Sequence, residues 1–318
     1  MKRSAAAFLV IGLLGGCSSA PPPARPQDQS LQRYEKAGQL AYSLDRPQEA
    51  VTQYRLALAQ AEARDDLTAI GNLSFNLVVA ELRANRPGAA LMTARRARAE
   101  LLRRGGAAFP ALDLAEATAL YRTGDPAGAD AMAARLQQDG DRETMAAASF
   151  LRGLIADDRH DAAGLAAANE ALARAMTLPT EAGQADTGQA GTGQGKDTEA
   201  KPAQRADALE LQARLARQNG KFDATWADAL KAADLRRDLL DYRGLARALS
   251  IAADAARRAG DRPAAADLYL RAGRSAAIQG DPVLAKPWLD QAIRLSTDPA
   301  ITEAAQKALA DLAENTAQ

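Results

Sequence analysis

The feature that most constrains the fold is a turn that recurs along the chain. Three copies share a turn former, an arginine and a proline: Asp45-Arg46-Pro47, Asn85-Arg86-Pro87 and Asp261-Arg262-Pro263. Two variants occur at Gly124-Asp125-Pro126 and Gly280-Asp281-Pro282. Proline suits the first position of a helix, because its missing N–H has no intrahelical partner there and its fixed φ is already helical. Each copy therefore predicts a helix that begins after a short turn.

Between the turns, apolar residues recur three and four positions apart, as in Val51, Tyr54 and Leu58, which is typical of one face of a helix. Aromatic residues make up only 4% of the chain, and strand-like alternation is absent. We therefore predict an all-α fold, an α-α superhelical solenoid of antiparallel helix pairs. The predicted helices are 31–44, 47–64, 67–84, 87–104, 110–122, 126–138, 142–156, 162–177, 203–218, 222–239, 242–259, 263–279, 282–296 and 299–314.

Two stretches resemble the tetratricopeptide repeat (TPR), in which a small residue on one helix faces a large residue on the next. Ala94 stands where the pattern has a large residue. Helix 263–279 is a second helix by counting and a first helix by the pattern, which leaves the pairing in the second half open. The residues that carry the resemblance are Tyr34, Ala37, Gly38, Ala41, Ala50, Tyr54 and Ala57, and then Tyr269, Ala272, Gly273, Ala276, Gly280, Ala285, Leu289 and Ala292.

The resemblance implies a concave groove, lined by the first helix of each pair, that binds an extended peptide or a partner helix. Phe75 is either an outward-facing anchor for the partner or part of the core. The family's groove positions fall on Gln32, Glu35, Gln39 and Tyr42 and on Asn72, Phe75, Val79 and Arg83.

The amino terminus has the order of a secretory signal: Lys2-Arg3, an apolar run from Ala5 to Leu14, and small residues before Cys17. Leu14-Gly15-Gly16-Cys17 resembles the lipobox of bacterial lipoproteins. That resemblance implies cleavage after residue 16 and acylation of Cys17, palmitate included. With Ser18 following, it implies an outer-membrane anchor that faces the periplasm. The alternative is an ordinary secreted protein. Cys17 is the only cysteine, so no intramolecular disulfide can form.

The expected organisation is a signal peptide (1–16), a lipidated cysteine with a flexible Pro-rich tether (17–30) and two TPR-like blocks (31–178 and 203–318), the second ending in a capping helix. A Gly/Gln/Thr-rich loop at 179–202, which is expected to be disordered, separates the blocks. It either divides two helical units or interrupts one continuous solenoid.

Motifs for chemistry are weak. The only histidine, His160, lies in a run of aspartates, which we interpret as a solvated turn with Asp161 as the next helix cap. Gly191 to Lys196 lacks the spacing of a phosphate loop, and no Gly-x-Ser-x-Gly elbow is present. We therefore predict no catalysis, cofactor or metal, and we interpret Trp226 and Trp288 as packing residues. Paired carboxylates are taken as surface features.

Charge gives little indication of a partner. The 40 basic residues balance the 40 acidic ones, and removal of Lys2 and Arg3 with the signal leaves a formal charge near −2, so no nucleic-acid partner is expected. One helix carries a candidate basic patch, which is either a solvated flank or a contact for an anionic partner. Its members are Arg95, Arg96, Arg98, Arg103 and Arg104.

The leading hypothesis is a non-catalytic, membrane-anchored scaffold or adaptor for a protein partner in envelope assembly, secretion or cell-wall maintenance. The alternative is a structural, pilotin-like subunit of an envelope secretion or pilus machine. A cell-wall enzyme is a third hypothesis, and it would need a pair of carboxylates converging in a pocket.

Overall fold

A computed structural model describes residues 28–177 and 200–317. Within these ranges the chain forms fourteen α-helices and no strand, which confirms the predicted all-α solenoid, and every helix end lies within three residues of the predicted one. Cys17, most of the tether and most of the loop at 179–202 lie outside the described residues. The helices are α1 Gln29–Ser43, α2 Pro47–Ala63, α3 Leu67–Arg83, α4 Pro87–Arg103, α5 Pro110–Arg122, α6 Pro126–Asp139, α7 Arg142–Asp158, α8 Ala162–Thr177, α9 Pro202–Gln218, α10 Phe222–Asp238, α11 Tyr242–Arg258, α12 Arg262–Ile278, α13 Pro282–Leu295 and α14 Pro299–Ala317.

The recurring turn is a helix C-cap followed at once by the next helix start. After α1, Asp45 adopts a left-handed conformation (φ 55°), and the N–H of Arg46 donates to the carbonyl of Ala41 at 2.9 Å. This arrangement satisfies a carbonyl at the end of the helix and reverses the chain direction within three residues. In the third copy the left-handed residue is Gly260 (φ 87°), so Pro263 is the second helical residue and not the first.

The start of the first helix differs slightly from the prediction. Asp28 caps α1 by accepting hydrogen bonds from the backbone N–H groups of Ser30 (2.8 Å) and Leu31 (3.2 Å). The helix therefore begins at Gln29, two residues before the predicted boundary, because an aspartate at this position satisfies the free N–H groups of the first turn.

Contacts between helices show which of them form the inside of the solenoid. Each helix packs against its neighbour in the chain, and the odd-numbered helices from α3 to α11 also contact the next odd-numbered helix. In the described ranges, even-numbered helices up to α10 make no comparably extensive contact with one another. The odd-numbered helices are therefore closer together and form the inside of the curved solenoid. We call α3, α5, α7, α9 and α11 the inner helices, and α1 extends this side of the solenoid because it lines a common depression with α3.

The predicted pairing of small and large residues is present in both good copies of the repeat. A Cβ atom on Gly38 would lie 2.8 Å from the Tyr54 ring, and one on Gly273 would lie 2.6 Å from Leu289 Cγ. In the repeat where Ala94 replaces the large residue, the opposite helix supplies the volume, because Val78 is fully buried at the position that corresponds to Gly38. The small and large partners have exchanged helices, which explains the mismatch with the pattern.

Helix α12 explains why the sequence leaves the pairing in the second half open, since it serves both roles. Its Tyr269 is buried in a core shared with α11, as Tyr54 is against α1, while its Gly273 receives Leu289 of α13. Beyond it, contact is between α12 and α14, so the inner layer passes from odd-numbered to even-numbered helices. Most described side chains of α14 are exposed, and Ala305 and Leu312 are buried.

The helices on the two sides of residues 178–199 pack directly together. Helix α9 contacts both α7 and α8. A Cβ atom on Gly153 of α7 would lie only 2.6 Å from Leu211 Cδ2 of α9, so the two helices pack closely at this glycine. The described helices therefore form one continuous stack across this gap. No helix in the described ranges is long and apolar enough to cross a bilayer.

Candidate functional site on the inner helices

A shallow depression between α1 and α3 brings together two of the predicted groove residues, Glu35 and Asn72. It has a volume of about 200 Å³. Leu31 and Leu73 contribute apolar surface, while Glu35 and Asn72 contribute polar groups. Asp66, which also lines the depression, caps α3 by accepting a hydrogen bond from Ala69 N–H at 3.1 Å. The depression can receive side chains of a partner.

The far ends of α1 and α3 hold a second pair of predicted groove residues. The Arg83 guanidinium lies 4.7 Å from the centroid of the Tyr42 ring, and its Nε donates to Asp45 Oδ1 at 2.9 Å. Burial opposes the charge of Arg83, but its contacts with Tyr42 and Asp45 raise its pKa overall. Arg83 is therefore already held by residues of this chain.

Phe75 packs into the protein and does not stand free as an anchor. Its ring meets the Phe109 ring edge-on at 5.9 Å between centroids, and it borders the core between α4 and α5. Of the other predicted groove residues, Gln39 is exposed, while Gln32 and Val79 are half-buried.

The five arginines of the candidate basic patch on α4 each have a carboxylate partner. Arg96 pairs with Glu62 at 3.0 Å, while Arg95 and Arg98 share Glu116 at 3.5 and 3.2 Å. Arg103 contacts Glu100, and Arg104 contacts Asp65. The local positive charge is therefore matched, and this surface is a set of ion pairs.

The histidine, its neighbouring aspartate and the two tryptophans singled out in the sequence serve in a turn, a helix cap and the core. His160 is the left-handed residue of the α7–α8 turn (φ 55°), and Asp161 caps α8 by accepting from Gly164 N–H at 2.9 Å, which confirms the prediction. Trp226 and Trp288 pack against the core of the last helices, which confirms them as packing residues. In the described ranges no cluster of three or more His, Cys, Asp and Glu side chains has the arrangement of a metal site.

A buried network of charges joins α7, α9, α10 and α11, and it corrects the interpretation of carboxylates as surface features. Glu210 on α9 is 0% exposed. It accepts from Arg214 at 2.9 Å and from Arg247 at 3.1 Å, and Arg236 lies 3.4 Å away. We call Glu210, these three arginines, Asp157 and Asp207 the buried charge network.

Asp157 extends the network from α9 to α7. Its carboxylate accepts from Arg214 and Arg217, both at 2.6 Å, and from Gln218 at 2.8 Å. The Phe150 ring of α7 contributes as well, since the guanidinium groups of Arg236 and Arg247 lie within 6 Å of its centroid. The network therefore crosses the interface between α7 and α9, which lie on opposite sides of residues 178–199 in the sequence.

Burial and charge set opposite pKa shifts within the network. Burial opposes ionisation of Glu210, yet Arg247, Arg214 and Arg236 together lower its pKa to about 2. Burial raises the pKa of Asp207 to about 6, and the contact with Arg236 only partly counters this. Burial also acts to raise the pKa of Asp157, but the charges of Arg214 and Arg217 outweigh it and hold that pKa below the usual value.

Sequence reasoning missed this network because each acid looks like an ordinary helix-surface residue. The available signal was spacing: Glu210, Arg214 and Arg217 recur at helical intervals on one face of α9, and Arg243 and Arg247 do so on α11. No spacing shows that these faces are turned inward.

Comparison with known proteins concerns the fold. No protein-family model matches the chain, and no curated protein matches it. Among solved structures, a tetratricopeptide repeat protein from Parabacteroides merdae is 16% identical, covering 89% of this chain and 100% of that one, with a TM-score of 0.44. The TPR2AB domain of yeast Sti1 in complex with pHSP90 is 14% identical, covering 84% and 98%, with a TM-score of 0.33.

Proposed function

We propose that this chain is a non-catalytic scaffold that binds a protein partner through the inside of its solenoid, held at the bacterial cell envelope by lipid on Cys17. The observation that carries the partner-binding part is the depression between α1 and α3. Its mixture of apolar floor and polar rim suits the side chains of an extended segment or a partner helix, which is how grooves of helical repeats bind.

The charge of the depression indicates what the partner carries. Glu35 has no arginine or lysine of the described ranges within ion-pair distance, whereas Asp45, Asp157 and Glu210 each pair with an arginine. A lysine or arginine of the partner would supply that missing charge. We therefore expect the bound segment to place a basic side chain against Glu35 and an apolar one against Leu31 and Leu73.

Site-specific photo-crosslinking in intact cells tests the binding surface. A photoreactive amino acid at Asn72 faces the depression, whereas one at Thr52, exposed on α2, is the matched control. We expect a discrete crosslinked protein from Asn72 and none from Thr52, with Glu35→Arg lowering the yield at least fivefold. Equal yields from the two positions would contradict the proposal.

The anchor is supported by the lipobox-like sequence before Cys17 and is tested separately. Intact mass of the mature protein should show a chain that begins at Cys17 and carries acyl groups. Cys17→Ala should move the protein out of the membrane fraction while leaving its far-UV circular dichroism unchanged. An amino terminus without acyl mass would refute the anchor without affecting the crosslinking result.

A further inference from the structure

Two parts of the solenoid that are far apart in sequence meet at the ends of their helices. The side chain of Asn85, in the α3–α4 turn, donates from Nδ2 to the carbonyl of Gly280, in the α12–α13 turn, at 2.8 Å. A longer contact of 3.5 Å joins Arg83 Nη2 to the carbonyl of Leu240. The solenoid therefore curves enough to bring its early and late helices together. We call this meeting point the closure contact.

Arg122, at the end of α5, lies at the closure contact without a carboxylate. It donates to the carbonyl of Leu82 at 2.5 Å and to Asn85 Oδ1 at 2.6 Å, and both acceptors are neutral. No carboxylate of the described residues lies within ion-pair distance of it. Burial, followed by the like charge of Arg243, lowers the pKa of Arg122 to about 10. Its environment disfavours an unbalanced positive charge.

Arg243, at the start of α11, reaches the same place from the other side. Its Nη1 donates to Asp281 Oδ2 at 2.6 Å, but its Nη2 is buried and has no hydrogen-bond partner among the described residues. Both oxygens of Asp281 are engaged, since its Oδ1 also caps α13 by accepting from Leu284 N–H. Asp281 therefore pairs with Arg243 and not with Arg122, which leaves one positive charge in excess.

A continuous set of contacts fixes the two arginines relative to each other. Arg122 binds Asn85, Asn85 binds Gly280, and the next residue, Asp281, binds Arg243. The third nearby cation, Arg247, pairs with Glu210, and its charge also contributes to the lowered pKa of Arg122. Each guanidinium has five N–H donors, so Arg122 and Arg243 both keep donors for a further acceptor.

We propose that Arg122 and Arg243 form an oxyanion site at the closure contact, which takes one carboxylate or phosphate-type group between the two guanidinium groups. Such a group accepts from the free Nη2 of Arg243 and from the unused donors of Arg122, and planar guanidinium groups suit either oxyanion. It also balances the excess charge, which is costly to leave unpaired away from water. The site is independent of partner binding between α1 and α3.

Thermal unfolding of the purified protein tests the site. Inorganic phosphate in one series and succinate in another are titrated at constant ionic strength against sodium chloride, followed by circular dichroism. We expect a saturable rise in melting temperature of about 3–8 °C with at least one anion. The anion with the lower half-saturating concentration identifies the class that the site prefers.

Variants decide whether the effect belongs to this site. Arg122→Gln and Arg243→Gln should each abolish the saturable rise, and Arg103→Gln, which removes an exposed arginine of α4, should retain it. If Arg122→Gln does not fold, Arg122→Lys keeps the charge without the planar fork, and half-saturation should then need about tenfold more anion. A wild-type response no larger than that to sodium chloride, or an undiminished response in the Arg122 and Arg243 variants, would overturn the proposal.

Discussion

Replacing Glu210 by glutamine tests whether the buried charge network holds the middle of the solenoid together. The substitution keeps the size and one acceptor oxygen but removes a negative charge that is 0% exposed. Arg214 retains Asp157, and Arg236 retains Asp207 and Asp241, whereas Arg247 loses its only carboxylate among the described residues. Arg247 would then be a half-buried cation without an ion-pair partner among the described residues.

Breaking a buried ion pair from one side costs about 3–5 kcal/mol, mainly because the remaining charge is left unpaired away from water. We expect Glu210→Gln to lower the free energy of unfolding by this amount. Glu170→Gln is the matched control, because it breaks the exposed pair of Glu170 with Arg174 on α8, and exposed helix pairs contribute about 0.3–0.5 kcal/mol.

Urea denaturation followed by circular dichroism measures the total loss, and hydrogen exchange locates it. Repeats contact mainly their neighbours, so exchange should accelerate in α7 and α9–α11 and stay near wild type in α1–α4. A double-mutant cycle of Glu210→Gln with Arg247→Met should give a coupling of at least about 1 kcal/mol. A loss below about 0.5 kcal/mol, or acceleration spread evenly over all helices, would refute the reasoning.

Three other predictions follow from the geometry. Gly38→Ala should cost about 1–3 kcal/mol, because its Cβ would meet the Tyr54 ring, whereas Gly88→Ala, with nothing within 4 Å, should stabilise by about 0.4–1 kcal/mol in urea denaturation. Leu240→Asn should stabilise by about 0.5–1 kcal/mol, because Leu240 is 53% exposed and has a φ of 57°, a conformation that Asn85 adopts in its own turn; Leu44→Asn, at an ordinary φ of −86°, should give no gain. Between about pH 4 and 6 the folded wild type holds a proton on Asp207 that the unfolded chain has lost, so its free energy of unfolding falls as pH rises, by on the order of 1–3 kcal/mol. Asp207→Asn should flatten this pH dependence, and denaturation curves recorded at a series of pH values measure it. An equal pH dependence in that variant would contradict the cause assigned to the shift.

The helices were predictable because their signals are local. A turn former followed by proline marks a helix start wherever it occurs, and apolar residues at helical spacing mark one face, so neither signal needs knowledge of distant residues. His160 and Asp161 were predictable as turn and cap for the same reason. The exchange of large and small residues between Val78 and Ala94 was not predictable. The sequence pattern of each helix does not show that the two side chains fill the same space between the helices.

The inner surface was only partly predictable. Glu35 and Asn72 do meet in a depression, but Arg83 is held by Asp45, and Phe75 is packed against Phe109. Helical spacing gives the face on which a residue lies, and the curvature of the whole solenoid decides what that face meets. The closure contact depends on this curvature most strongly, since Asn85 and Gly280 are 195 residues apart.

The direct packing of α7 against α9 makes a final prediction about the segment between α8 and α9. Residues 178–201 link these helices, whereas three residues, 44–46, link α1 to α2. Loop-closure entropy grows by about 0.6 kcal/mol for each doubling of length, so the longer link costs about 2 kcal/mol more. We expect Leu211 against Gly153, and Asp157 with its two arginines, to offset that cost.

Deleting residues 183–195 roughly halves the link and should therefore raise the free energy of unfolding by about 0.6 kcal/mol, with hydrogen exchange in α7 and α9 unchanged. Replacing the same residues by an equally long Gly-Ser segment is the control, and it should have no effect. Faster exchange in α9 in both variants would mean that the native segment makes contacts that stabilise this interface, and the account of the interface as self-sufficient would be wrong.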